Sequence, residues 1–99
     1  MKIYKDHDFT QEVKDEIFDL GIVPAGETKK FTFYIFNDSN AFLKNLKFSV
    51  KHDEVRIIKF PEKLAANMSG ELILEWKPSV TLKEGLKARL RISGIELWG

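Results

Sequence analysis

The chain has 99 residues, a length that suits one domain with one hydrophobic core. Hydrophobic residues make up 43% of the sequence and charged residues 31%, which is typical of a folded globular domain and not of a disordered chain. The net charge of +1 does not favour nucleic acid or an anionic membrane as a partner over the whole surface. The sequence contains no cysteine, which excludes disulfides, thiolate-rich metal sites and a cysteine nucleophile.

The sequence shows no signal for a membrane or for export. It contains no apolar run of about 18 residues, and its polar N-terminus lacks the apolar core of a signal peptide. We therefore expect a chain without a signal peptide or transmembrane segment, located in the cytoplasm or in a virion.

The N-terminal residues have the weakest pattern. Val13 and Ile17 give residues 10–17 a weak helical spacing, and a helical turn, a strand and a loose arm fit it equally well. We therefore divide the chain into an N-terminal arm or extension, residues 1–15, and a β-sandwich domain, residues 16–99.

Alternation of apolar and polar residues then predicts a series of strands. A short apolar strand at residues 17–23 leads into a tight turn, and residues 29–37 follow with Phe31, Phe33 and Ile35 on one face. Further strands are predicted at residues 43–51, 55–60 and 71–76, with a loop at residues 62–69 that has room for one helical turn.

The last predicted strand begins at Leu86. Leu90 and Ile92 belong to its inner face, and charged residues alternate with them. Gly94 interrupts the pattern before residues 95–98, which predicts a bulge or a bend. Six strands, a seventh near the N-terminus and no convincing helix together predict an all-β protein, an immunoglobulin-like sandwich of about seven antiparallel strands in two sheets.

Several segments, taken in order, resemble a known superfamily. They are the segment from Phe18 to Thr28 (FDLGIVPAGET), residues 33–39 (FYIFNDS), residues 60–64 (FPEKL), residues 72–78 (LILEWKP) and residues 85–94 (GLKARLRISG). This scheme is similar to that of the ASH (Hydin-type) and major-sperm-protein domains, which are related to PapD-like sandwiches. The resemblance covers about residues 17–95 and implies an immunoglobulin-like sandwich with a non-catalytic, interaction or structural role. The chain departs from it in lacking the dense basic motif with which major-sperm-protein domains bind acidic peptides.

Two surface features point to contacts with a partner. Lys87, Arg89 and Arg91 alternate along one strand and form a basic stripe suited to phosphate or to an acidic partner, although charged residues also protect edge strands from aggregation. The second feature is apolar and consists of Tyr34, Phe36, Ile73 and Trp98. Exposed aromatic residues are common at interfaces, but a place at the rim of the core or under the N-terminal arm explains them as well.

No catalytic or cofactor motif accompanies these features. His7 lies between two aspartates and His52 precedes two acidic residues, but neither has partners at a spacing typical of a metal site or a catalytic group. We therefore expect no catalytic, metal or cofactor site, no enzymatic activity and no small-molecule substrate.

The sequence favours a structural or accessory subunit of a larger assembly, a virion or phage particle first, with other protein subunits or further copies of the chain as partners and neither a membrane nor nucleic acid among them. Two alternatives stay open. One is a cytoplasmic adaptor that binds peptides at a sheet edge, and the other is a weak binder of nucleic acid or another polyanion through the basic stripe.

Overall fold

Seven strands make up the fold of residues 1–97, the part of the chain that the computed structural model describes. They are β1 (Lys2–Tyr4), β2 (Ile17–Gly21), β3 (Lys29–Phe36), β4 (Phe42–Val50), β5 (Val55–Lys59), β6 (Ser69–Trp76) and β7 (Leu86–Leu97). One sheet has four strands in the order β1-β3-β6-β5, the other has three in the order β2-β7-β4, and all neighbours are antiparallel. The predicted sandwich of seven antiparallel strands is therefore confirmed.

The core lies between the two sheets and follows the predicted alternation. Phe18 of β2 and Phe33 of β3 stack across it with ring centroids 4.2 Å apart. Trp76 of β6 and Leu90 of β7 are fully buried. Complete burial of such a side chain contributes about 1.5–3 kcal/mol, so the inner faces of the strands supply most of the stability of the fold.

The N-terminal segment, residues 1–15, includes one strand and two core side chains. β1 pairs with β3, and the chain then returns along β1, where Val13 donates its N–H to the carbonyl of Ile3 at 2.7 Å. Ile3 and Val13 are both buried. A turn at Asp15 and Glu16, both with positive φ, then carries the chain to the other sheet.

The irregularity predicted at Gly94 lies in the neighbouring strand instead. β7 continues through Gly94, and the extra residue is in β4, between Lys44 and Lys47, where Asn45 has a φ of 53°. Gly94 faces this bulge, and a Cβ at its position would lie 2.7 Å from the Leu46 side chain. The glycine is thus required by close approach to β4.

Asn37 joins two loops at one end of the sandwich. Its buried amide nitrogen donates to the carbonyls of Ala41, Leu64 and Ala65 at 2.8–3.1 Å, and its Oδ1 accepts the N–H and hydroxyl of Ser39. Leu64 and Ala65 therefore bond to Asn37, Leu64 also bonds to Leu43 of β4, and residues 64–66 do not form the helical turn for which the sequence had room. Nowhere in residues 1–97 is there a helix of the length and apolarity needed to cross a bilayer.

Candidate functional site

The outer face of the three-stranded sheet gathers basic side chains from two strands. Alternation along β7 turns its basic stripe away from the core, because Ala88 and Leu90 between them are buried. β7 pairs with β4 so that Ser93 lies opposite Lys47 and Ile95 opposite Lys44. Because directly paired residues share a face of the sheet, the two strands together form one surface. We call it the basic face, with residues Lys44, Lys47, Lys87, Arg89 and Arg91.

The basic face lacks ion pairs within residues 1–97. The ion pairs of this part of the chain involve other cations, and all five basic residues of the face are exposed. Asp19 of β2 is paired opposite Lys87, but its Oδ1 accepts the N–H of Gly21 at 3.0 Å. The positive charge of this face is therefore not neutralised by ion pairs within the described chain.

Exposed apolar side chains lie at one end of the basic face. Phe42 of β4 is paired opposite Leu97 of β7, and the exposed fractions of Phe42, Ile95 and Leu97 are 37%, 47% and 44%. We call these three residues the apolar end. Next to it, the bulge of β4 and the loop after β5 enclose an open cleft of about 710 Å³, which Phe60 and Ile95 line together with Lys47. Apolar surface beside charge is the composition expected of a protein-binding surface.

The outer face of the four-stranded sheet is different. Some of its charged side chains form ion pairs, Arg56 with Glu75 at 3.1 Å and Lys59 with Glu71 at 3.9 Å. The phenyl ring of Phe9, in the loop after β1, lies 5.2 Å from the ring of Phe36. This face is thus partly covered by the N-terminal residues of the same chain.

Asp6 holds the covering loop in place. Its carboxylate accepts the N–H groups of Thr10 and Gln11 at 2.9–3.2 Å and also the hydroxyl of Thr10. The hydrogen bond from the Thr10 side chain is the main reason that the pKa of Asp6 is lowered from its ordinary value, since each of these bonds favours the charged carboxylate. The loop is therefore an ordered part of the fold, and Phe9 keeps its position although its φ of 57° is rare for an aromatic residue.

The residues singled out in the sequence divide between the two outer faces. The stripe of Lys87, Arg89 and Arg91 lies on the three-stranded sheet. Tyr34, Phe36 and Ile73, all half-buried, lie on the outer face of the four-stranded sheet and so do not join the stripe in one site. Trp98 lies outside the described residues.

Edge protection does not explain the whole stripe. β7 is the middle strand of its sheet, and Lys87 and Arg89 are paired with β2, so that explanation is wrong for these two residues.

The two histidines lie in different places and each is near one aromatic ring. The ring of His52 is 6.5 Å from that of Trp76, and the ring of His7 is 6.3 Å from that of Tyr34.

Of the candidate site, the sequence indicated only the stripe on β7. Lys44 and Lys47 join the stripe only because of the register between β4 and β7, and the bulge at Asn45 hides the alternation that would have placed both on one face. Phe42 belongs to no predicted strand, although it follows the turn residues Asn37 to Asn40.

Comparisons of the chain with protein-family models, with curated proteins and with solved structures find no match.

Proposed function

We propose that this chain is a non-catalytic structural or accessory subunit of a larger assembly, which binds another protein through the outer face of its three-stranded sheet. The observation behind the proposal is that the basic face and the apolar end lie side by side on one sheet. Unpaired charges steer and select a partner of opposite sign, and exposed apolar side chains provide affinity when a partner covers them.

The partner that fits this surface is a protein segment with acidic and apolar side chains. Carboxylates match Arg91 and Lys47, and apolar side chains match Ile95 and the cleft beside Phe60. Nucleic acid would use the basic residues but would leave the apolar end exposed to water. A net charge of only +1 also gives little of the long-range attraction on which polyanion binding depends.

We further propose a virion or phage particle as the assembly and the ASH and major-sperm-protein superfamily as the family. The first proposal is an analogy at the level of the fold, since such particles use isolated sandwich domains. The second is supported by the places of the similar segments: the first contains the turn at Gly26, and those beginning at Leu72 and Gly85 contain most of β6 and most of β7.

An NMR titration tests the binding surface. The probe is a short blocked peptide in which glutamate alternates with valine, called the Glu–Val peptide, and its control has lysine in place of glutamate. We expect the largest shift changes at the amides of Lys47, Arg91 and Ile95, and weaker binding at higher salt. The lysine peptide should not bind. The proposal is wrong if the shifts concentrate around Ile73, or if a DNA duplex binds more tightly than the Glu–Val peptide.

A further inference from the structure

β7 is paired unequally along its length. β2 pairs with it only from Leu86 to Arg89, and one further hydrogen bond joins the N–H of Leu90 to the carbonyl of Glu16 at 2.9 Å. β4 pairs with it from Leu90 to Leu97 on the other side. Beyond Leu90, the side of β7 that faces away from β4 has no strand beside it within residues 1–97.

The turn before β2 explains this open side. If β2 were longer at its N-terminal end, residues 12–15 would lie along residues 91–94 of β7. Instead, Ile17 donates its N–H to the carbonyl of Lys14 at 3.1 Å and closes a turn, with Asp15 and Glu16 in the left-handed region. The residues before the turn are paired with β1, where Glu12 lies opposite Tyr4 in the other sheet.

The backbone groups on the open side follow from the hydrogen bonds at its start. The carbonyl of Arg89 accepts from Lys51 next to β4, whereas the N–H of Leu90 points to the side of β2. Because these directions alternate along a strand, the N–H and carbonyl groups of Ile92, Gly94 and Glu96 point to the open side. A row of such groups is a template for a further strand.

Other strand edges of the fold are partly covered, short or interrupted, and the outer edge of β2 is only five residues long. Residues 11–13 cover the edge of β1, and Glu62 and Leu64 bond to β4. β5 is short, is interrupted by a bulge before Lys59 and is soon followed by Pro61. Short strands, bulges, lysine and proline all discourage strand addition. Residues 92–97 of β7 have a longer uninterrupted edge.

We propose that an extended segment of the acidic partner adds to this edge as an antiparallel strand, in line with β2. The inference rests on the proposed function, because the same partner would contact the basic face and the edge. On the outer side the added strand would place carboxylates beside Arg91. On the inner side its other side chains would lie over a depression of about 210 Å³ with a mixed lining, which includes Leu43 and Ile92 but also Ser39 and the acidic residues Glu16 and Glu96.

A second copy of this chain fits the edge less well. Pairing the open edges of two β7 strands would bring the Arg91 residues of both copies to the same side of the combined sheet, with Lys47 of each copy close by. Like charges on neighbouring strands destabilise pairing. The strand that adds to this edge therefore belongs to a partner of opposite charge and not to a second copy of this chain.

The test uses two variants and two peptides. Glu96→Pro removes an N–H that points to the open side, whereas Glu96→Ala keeps it and removes the same carboxylate. The Glu–Val peptide is compared with a version methylated at alternate backbone nitrogens, which keeps the side chains but cannot complete the ladder. We expect Glu96→Pro and the methylated peptide each to weaken binding about tenfold or more, and Glu96→Ala to leave it within about threefold.

Hydrogen exchange in the complex supplies a second readout, and bound Glu–Val peptide should slow exchange at Ile92, Gly94 and Glu96. If the methylated peptide binds equally well to the basic face, strand addition is wrong while the proposed function stands. If neither peptide contacts the basic face, strand addition and the proposed function are both wrong. A wild-type protein that dimerises through β7 without peptide would also overturn the inference. The methylated peptide decides the question even if Glu96→Pro disturbs the end of β7.

Discussion

The outer face of the four-stranded sheet is partly covered and has two ion pairs, whereas the outer face of the three-stranded sheet has neither cover nor ion pairs within residues 1–97. On the first, Phe9 lies on Phe36 and Arg56 is paired with Glu75. On the second, Arg91 has no ion pair and Ile95 is exposed. The N-terminal residues therefore cover part of the outer face of the four-stranded sheet and leave the outer face of the three-stranded sheet accessible to a partner.

The difference in cover depends on the turn at Asp15 and Glu16. Before the turn the chain lies along β1 and adds to the four-stranded sheet. After it, β2 is only five residues long and reaches less than half of β7. The turn thus places residues 11–13 along the edge of the four-stranded sheet and leaves the edge of β7 in the three-stranded sheet open beyond Leu90.

Two adjacent residues of β7 should give the largest contrast in stability. Leu90 is fully buried between the sheets and Arg91 is exposed on the basic face. We expect Leu90→Ala to lower the free energy of unfolding by about 2–5 kcal/mol, because it leaves a cavity. Arg91→Ala should change it by less than about 0.5 kcal/mol. Urea denaturation measures both, and a large loss for Arg91→Ala would show that the basic face is structural.

The cover itself gives a second contrast. Phe9→Ala removes ring contacts with Tyr4 and Phe36, whose centroids both lie 5.2 Å from its own. We expect it to lower the free energy of unfolding by about 1–2 kcal/mol, since the ring is half-buried. Ile95→Ala, on the uncovered sheet, should have an effect below about 0.5 kcal/mol. If thermal melts show the same loss of stability for Phe9→Ala and Ile95→Ala, the two outer faces do not differ in cover.

Glu16→Gly tests the turn that separates the two faces. Glu16 has a φ of 58°, which glycine adopts without steric cost, and its carbonyl bond to Leu90 is retained in the variant. We expect a gain of about 0.5–1 kcal/mol in the free energy of unfolding. Ala at the same position is the control and should give no such gain. A loss of stability with Gly would contradict the left-handed turn.

The loop that covers the four-stranded sheet should respond to pH through Asp6. Its folded pKa lies below the ordinary 3.8, so its carboxylate stabilises the fold above that value and the contribution is lost as the pH falls through the folded pKa. We expect Asp6→Asn to lower the melting temperature at neutral pH, and the difference from wild type to shrink at pH values below the ordinary pKa. Asp53→Asn, which changes the same charge at an exposed turn position, is the control. A difference that persists unchanged in acid would contradict this role of Asp6.

Local alternation was enough to predict the strands of the core. β3, β6 and the first half of β7 each have buried residues at every second position, so the sequence alone identifies their inner faces. β1 could not be placed, because it is three residues long and its position depends on pairing with residues of β3 that are 30 to 34 positions away in the sequence.

The candidate site was less predictable than the core, because it depends on register between distant strands. The stripe on β7 was visible as an alternation, but Lys44 and Lys47 reach the same face only through pairing with residues 93–95. Phe36 and Arg91 lie on different sheets because of the strand order. A local sequence pattern carries no information about strand order. The open edge of β7 likewise depends on where β2 ends.

Two charge reversals distinguish binding by the basic face from general attraction between opposite charges. Arg91→Glu and Arg56→Glu change the net charge equally, but Arg91 lies on the three-stranded sheet and Arg56 on the four-stranded one. With both variants shown to be folded, affinity for the Glu–Val peptide is measured at about 0.15 M salt. We predict that Arg91→Glu weakens binding about tenfold or more and that Arg56→Glu changes it less than about twofold. Equal weakening by the two variants, or none by Arg91→Glu, would contradict binding through the outer face of the three-stranded sheet.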